Sequence, residues 1–159
     1  MTEYNLNLFA DYFQFYLQDE EMPGDLSNAW TEQAFKMLLA ITEGAFVVGT
    51  VRNMTVPVNI KIFEAEPEVL LNESNIIDQI NECDLEVTSG KIVIAGCTEY
   101  FEEAKRIELS NGIYRARIYY GNLDNLSKNG LEGEDFYEVH LWKTDRKSDL
   151  VTLKQWANA

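Results

Sequence analysis

The amino-acid sequence predicts a mainly β fold: an antiparallel β-sandwich of about eight strands with one short helix near the N-terminus, forming a single domain over residues 1–159. Three observations carry this. Past Gly44 the apolar residues alternate with polar ones or fall into short runs. Turn-forming tri- and tetrapeptides recur between those runs. Only one segment has helical spacing. The length of 159 residues suits one domain, and 46% apolar residues, including 8 Phe, 8 Tyr and 3 Trp, supply a core.

The elements follow in order. Phe13, Phe15 and Leu17 alternate with Gln14, Tyr16 and Gln18, which is strand periodicity. Glu20 to Asp25 has turn composition. Thr31 is placed to cap a helix in which Ala34, Met37, Leu38 and Ile41 share one face, with Gly44 suited to the left-handed position beyond its last turn. Strands are expected at Ala45–Val51, Val56–Glu64, Gln79–Val87, Lys91–Cys97, Lys105–Leu109, Ile113–Tyr120, Phe136–Trp142 and Val151–Lys154. Arg52–Thr55, Thr88–Gly90 and Ser110–Gly112 read as hairpin turns. Gly112-Ile113-Tyr114, opening a strand, has the pattern of a tyrosine corner.

Little in the chain points to catalysis. His140, the sole histidine, sits on a predicted strand between Val139 and Leu141 and reads as structural. Neither the 2 cysteines nor the histidine have zinc spacing, and no glycine-rich loop joins a strand to a helix, so no cofactor is expected. The segment from Asn125 places Gly130 sixth, as a calcium loop would, but has Asn125 first and Phe136 twelfth, so a plain loop is the better reading. Cys83 and Cys97 flank Thr88–Gly90 and face each other only in one hairpin register, so reduced thiols are favoured. A hydrolase built on paired carboxylates requires two of them to converge in a cleft, which spacing alone does not establish.

Charge narrows the partner. The chain carries 27 acidic and 13 basic residues, a formal charge of -14. That disfavours direct nucleic-acid binding and docking on an anionic membrane, and favours a basic protein. No basic-then-apolar leader and no membrane-length apolar run occur, so the cytoplasm is the expected compartment. The excess is local. Residues 1–35 hold 7 acids and residues 62–90 hold 8, with no Lys or Arg in either; the remainder has 12 acids against 13 bases. In Asp78–Val87 the acids take alternate positions, which lines Glu82, Asp84 and Glu86 along one strand face about 7 Å apart. Three like charges in a row repel, and a basic partner relieves that. These three are the leading candidate contacts, with Asp19, Glu20, Glu21 and Asp25 second.

Trp30-Thr-Glu-Gln-Ala34, Gly44-Ala45, Arg52-Asn53, the Glu86–Gly90 turn, Gly112-Ile-Tyr114 and Phe136–Trp142 occur in an order that resembles the competence-protein-J family, inhibitors of a DNA-entry nuclease. The resemblance runs from Tyr12 to Trp142 over framework positions, and this chain is longer at Glu66–Asp78 and Asn122–Asp135. It implies a small acidic β-protein that blocks a nuclease, and carries over no inhibitory residue. The competing reading is a non-catalytic sandwich that binds a small molecule or carbohydrate through Tyr12, Tyr16, Tyr119 and Tyr120. An exposed, aromatic-lined concavity favours that reading; a flat acidic face favours the inhibitor.

Overall fold

Alternation of apolar and polar residues does produce strands along most of the chain. The structure, a computed structural model, describes residues 1–70 and 75–157, so Glu73 of the second acidic segment lies outside the described residues. The strands are β1 (Thr2–Phe9), β2 (Gln14–Asp19), β3 (Leu39–Thr42), β4 (Ala45–Gly49), β5 (Thr55–Phe63), β6 (Ile77–Val87), β7 (Lys91–Gly96), β8 (Lys105–Glu108), β9 (Gly112–Gly121), β10 (Phe136–Thr144) and β11 (Val151–Lys154), with one α-helix, α1 (Glu32–Met37). Two sheets result, a six-stranded one ordered β1-β5-β10-β9-β6-β11 and a five-stranded one ordered β3-β4-β2-β7-β8.

One buried cluster draws on both sheets. Phe15, Leu17, Phe46, Val48, Ile92 and Ile94 come from the five-stranded sheet, and Val58, Ile60, Leu85, Ile118, Tyr120 and Val139 from the other. Within each strand they lie two residues apart, the period that sends side chains to one face. Each such side chain contributes roughly 1.5–3 kcal/mol by leaving water.

Several expectations are corrected. The six-stranded sheet is mixed, because β5 and β10 run parallel. A parallel pair needs a long connection, and here the chain visits both sheets between Phe63 and Phe136. The helix is a short turn and a half. Thr31 Oγ1 does accept the Ala34 N–H at 3.1 Å, but Leu38 adopts φ 57° and ends the helix at Met37. Leu39–Thr42 then forms edge strand β3, which leaves Ile41 exposed, and Gly44, at φ 79°, serves the β3–β4 hairpin.

The three expected hairpin turns each cross between sheets instead. Arg52–Thr55 leads from β4 to β5, Thr88–Gly90 from β6 to β7, and Ser110–Gly112 from β8 to β9, and none of these strand pairs is hydrogen-bonded. Cys83 and Cys97 therefore do not face each other; both are free, Cys83 buried and Cys97 exposed. The last crossing carries the expected tyrosine corner, with Tyr114 OH donating to the Ser110 carbonyl at 2.8 Å.

Candidate functional site

The acidic row on β6 exists, and the chain compensates much of it. Glu82, Asp84 and Glu86 alternate with buried Cys83, Leu85 and Val87, so they share a face. β9 lies beside β6 in a register that sets Glu82 opposite Arg117 and Asp84 opposite Arg115. Glu82 bridges both arginines, at 2.6 Å to Arg117 and 3.3 Å to Arg115, while Arg115 reaches Asp84 at 2.9 Å. The second Asp84 oxygen accepts the Ser148 N–H at 2.8 Å, and Arg115 also donates to the Ser148 and Asp149 carbonyls. The inner two carboxylates thus tie down the segment leading to β11. Glu86 is the open one: its partner Lys147 stands 3.5 Å away with two-thirds of its side chain exposed. The repulsion expected of three acids in a row is offset by Arg115 and Arg117, which alternate along β9 with the same period.

The second group of candidates separates in the same way. Asp19 is fully buried at the end of β2, where its carboxylate accepts both the N–H and the hydroxyl of Thr88 and of Ser89, at 2.7–3.1 Å. Burial pushes this carboxyl up, but the donors on Ser89 and Thr88 outweigh burial and hold it below the ordinary 3.8. Glu20 pairs with Arg106 at 2.7 Å. Glu21 and Asp25 are exposed, and Asp25 is held below the usual carboxylate range by the Ser27 N–H.

These contacts bring both acidic segments to one end of the molecule. Asp19 grips Thr88 and Ser89, just past Glu86, and the Gly24 N–H donates to the Glu43 carbonyl at 3.1 Å. Glu43, Asp84, Glu86 and Lys147 all line one cleft of about 200 Å³. The end so built offers Glu21, Asp25, Glu43 and Glu86 to solvent, from three separate stretches of sequence.

At the opposite end of β2 lies a different surface. A concavity of about 410 Å³ is lined by Tyr12, Phe13, Gln14, Trp30, Phe35 and Leu38. Three of these have left-handed backbones, at φ 59° for Tyr12, 60° for Phe13 and 57° for Leu38. Non-glycine residues in this region cost roughly 1–3 kcal/mol each. Leu38 is accounted for as the helix terminus, whereas the Tyr12-Phe13 pair holds two exposed aromatics at the rim. Gly49 permits the floor, since a Cβ there would lie 3.3 Å from the Trp30 ring and 3.2 Å from Leu38 Cα. Of the four tyrosines expected to line a ligand site, only Tyr12 does: Tyr119 and Tyr120 are fully buried, and Tyr16 packs against side-chain clusters of the five-stranded sheet. Sequence reasoning missed Phe13, Trp30 and Phe35 here, because strand periodicity groups Phe13 with Phe15 and Leu17, and Trp30 and Phe35 fall outside the helical face of Ala34, Met37, Leu38 and Ile41.

The remaining chemical candidates are occupied structurally. His140 is buried between the Phe63 and Tyr119 rings, and its Nε2 meets Glu138. Lys61 stands 3.4 Å from the same carboxylate. Burial works against ionising Glu138, yet its bonds to His140 and Lys61 hold it below its ordinary value. The loop after Asn125 closes on itself through a Leu126–Gly133 bridge and Ser127–Asn129 contacts. Among the described residues, no three His, Cys, Asp or Glu side chains converge as a metal site, and no helix is long and apolar enough to cross a membrane.

No protein-family model and no curated protein sequence matches the chain. Solved structures share its fold. ComJ from Bacillus subtilis, described as the inhibitor of the DNA degrading activity of NucA, aligns with a TM-score of 0.61 at 18% identity, covering 91% of this chain and 96% of that one. A protein described as crocagin biosynthetic gene J aligns with a TM-score of 0.56 at 13% identity, over 92% of this chain and 100% of that one. The resemblance carried by the framework residues is thus a likeness of fold, and the chain has the fold of these two proteins.

Proposed function

We propose that this chain is a non-enzymatic, immunity-type inhibitor that binds a basic protein partner, a nuclease, and occludes its active-site cleft. The single observation behind the reading is the shared fold with a nuclease inhibitor over nearly the whole chain, on a body of charge -14. In this reading the two sheets act as one β-sandwich domain in the cytoplasm, and carboxylates stand where the nuclease holds phosphates. The contacts are drawn from Glu82, Asp84, Glu86, Asp19, Glu20, Glu21 and Asp25. Those still facing solvent, Glu86, Glu21 and Asp25, make the first encounter; Asp19, Glu82 and Asp84 act by holding the surrounding turns in place. Long-range attraction speeds such an encounter and weakens with salt.

The test is capture of partners from the host at low salt, elution with salt, and assay of DNA degradation by the eluate with the chain added back. Loss of degradation at one equivalent supports the reading. Degradation that persists at excess chain rejects it.

The aromatic concavity gives the second reading, a non-catalytic ligand binder, a specific foothold. Its polar groups are largely spent, however. Trp30 Nε1 donates to Gln14 at 3.0 Å, Gln14 Nε2 reaches the Tyr12 carbonyl, and Thr50 Oγ1 donates to the Arg52 carbonyl. A carbohydrate needs such groups free, so this reading ranks second.

A further inference from the structure

The chain uses aromatic rings to hold cations in three places. Lys105 lies 5.3 Å from the centre of the Tyr4 ring, Arg106 lies 4.9 Å from Phe101, and Arg117 lies 4.8 Å from Trp142. The aromatic group around the concavity, exposed Tyr12, Phe13 and Phe35 with half-buried Trp30, has no such cation among the described residues. Lys36, the base nearest in sequence, lines a separate depression with Thr31, Glu32 and Gln33. Arg52, close to Thr50 in sequence, is buried on Asp135 at 2.6 Å. Asp11 and Glu32 adjoin the ring residues in sequence, against Lys36 alone, on a chain of net charge -14, so the field there favours a positive group.

The rings are also held open. Trp30 and Phe35 lie tilted against each other with centroids 5.2 Å apart, and Gln14 fixes the Trp30 indole. Tyr12 and Phe13 are kept at the rim by a backbone that aromatic residues rarely adopt, secured by the Thr50 N–H bond to the Phe13 carbonyl at 2.9 Å. With the Trp30, Gln14 and Thr50 polar groups spent internally, what the concavity presents to a visitor is mainly ring surface.

From these observations we infer that the concavity is an aromatic cage for a cationic side chain of the protein partner, arginine ahead of lysine. A planar, weakly hydrated guanidinium stacks on aromatic faces and gives up its water more readily than an ammonium. The source of that side chain rests on the inhibitor reading; the cage chemistry does not. The cage lies about 17 Å along β2 from the acidic end, so a basic partner meets carboxylates at one end and rings at the other.

The test uses the full chain and N-acetyl-arginine amide as the probe, read at the Trp30 indole N–H by NMR and assigned by its loss in Trp30→Phe. N-acetyl-citrulline amide matches the probe in shape without its charge, and N-acetyl-leucine amide represents an apolar anchor. The expected result is saturable binding of the arginine probe at millimolar concentration, about fivefold tighter than either control. Phe35→Ala, at a largely exposed position, and Tyr12→Gly, where glycine accepts the positive φ, should each weaken it about fivefold while the fold is retained. Equal or tighter binding of the citrulline or leucine probe overturns the cation cage, as does the absence of any response in the folded chain. A cage that binds arginine in a chain that leaves the captured nuclease active keeps this inference and rejects only the inhibitor reading.

Discussion

Asp19, at the end of β2, receives both the backbone N–H and the hydroxyl of Ser89, at 3.1 and 2.7 Å, from the turn that carries the chain out of β6 and into β7. One buried carboxylate therefore fastens the two sheets together and sets the acidic segments side by side.

Replacing Asp19 with Asn puts an amide where the four donors of Thr88 and Ser89 and the Glu21 N–H converge, and should cost about 3 kcal/mol of stability in urea denaturation at pH 7. The folded pKa of Asp19 lies below its unfolded value. Its stabilisation is therefore complete above the unfolded pKa and is lost as pH falls through the folded one. Wild type and variant should converge in stability as the medium is acidified below pH 4. A constant gap down to pH 2 would exclude Asp19 as the source.

The acidic row should respond unequally to charge reversal. Glu82→Lys leaves Arg115 and Arg117 facing a third cation and should destabilise by about 3–5 kcal/mol, as loss of one partner in a buried pair does. Glu86→Lys removes only an exposed pair, so its thermal midpoint should stay close to that of the wild type. Thermal melts of the two variants decide this. On the inhibitor reading, stopped-flow association of Glu86→Lys with the captured nuclease should also be slowed at low salt.

Asp135 holds Arg52 with one oxygen and the Tyr137 hydroxyl with the other, and Tyr137 in turn accepts the Val51 N–H at 2.9 Å. Asp135→Ala strands a buried guanidinium and should cost about 3–5 kcal/mol. Adding Arg52→Leu should recover part of that loss, because the unpaired charge is then gone. A double variant weaker than the single one by the full cost of Arg52→Leu alone would show that the two residues act independently.

Tyr114→Phe removes the hydroxyl's bonds to the Ser110 carbonyl and hydroxyl at the corner between β8 and β9 without changing shape, and should lower stability by about 1–2 kcal/mol. Chemical denaturation with an unchanged slope checks it.

Strand period was legible wherever a strand has one buried face, and β11 was read to the residue. β1 was readable too, with Tyr4, Leu6 and Leu8 alternating against Glu3, Asn5 and Asn7, but its asparagines lower strand propensity and it went unassigned. Ile41 satisfied a helical spacing while belonging to an edge strand, because a strand of four residues cannot separate the two periods. Which strands pair was not legible at all: a turn tripeptide looks alike whether it closes a hairpin or crosses between sheets. That gap hid the arginines under the acidic row, since Glu82 and Arg117 become neighbours only once β6 lies beside β9. The aromatic cage was missed for the same reason. Its residues come from the turn before β2, the end of β4, and α1 with the residues flanking it, and only pairing of β2 with β4 brings those segments together.

The sheet-to-sheet crossings, four with the passage from β1 to β2, also govern how the chain can come to be folded. β5 ends at Phe63 and its parallel neighbour β10 begins at Phe136, with strands of both sheets made in between. Neither sheet can be completed from a continuous piece of chain, so few stabilising pairings are available until distant segments have met. Such a topology folds slowly and as a whole. A nascent chain would hold β5 with only its β1 edge paired until β10 has been synthesised, and cutting between β5 and β10 would release two aggregation-prone fragments, not a working half.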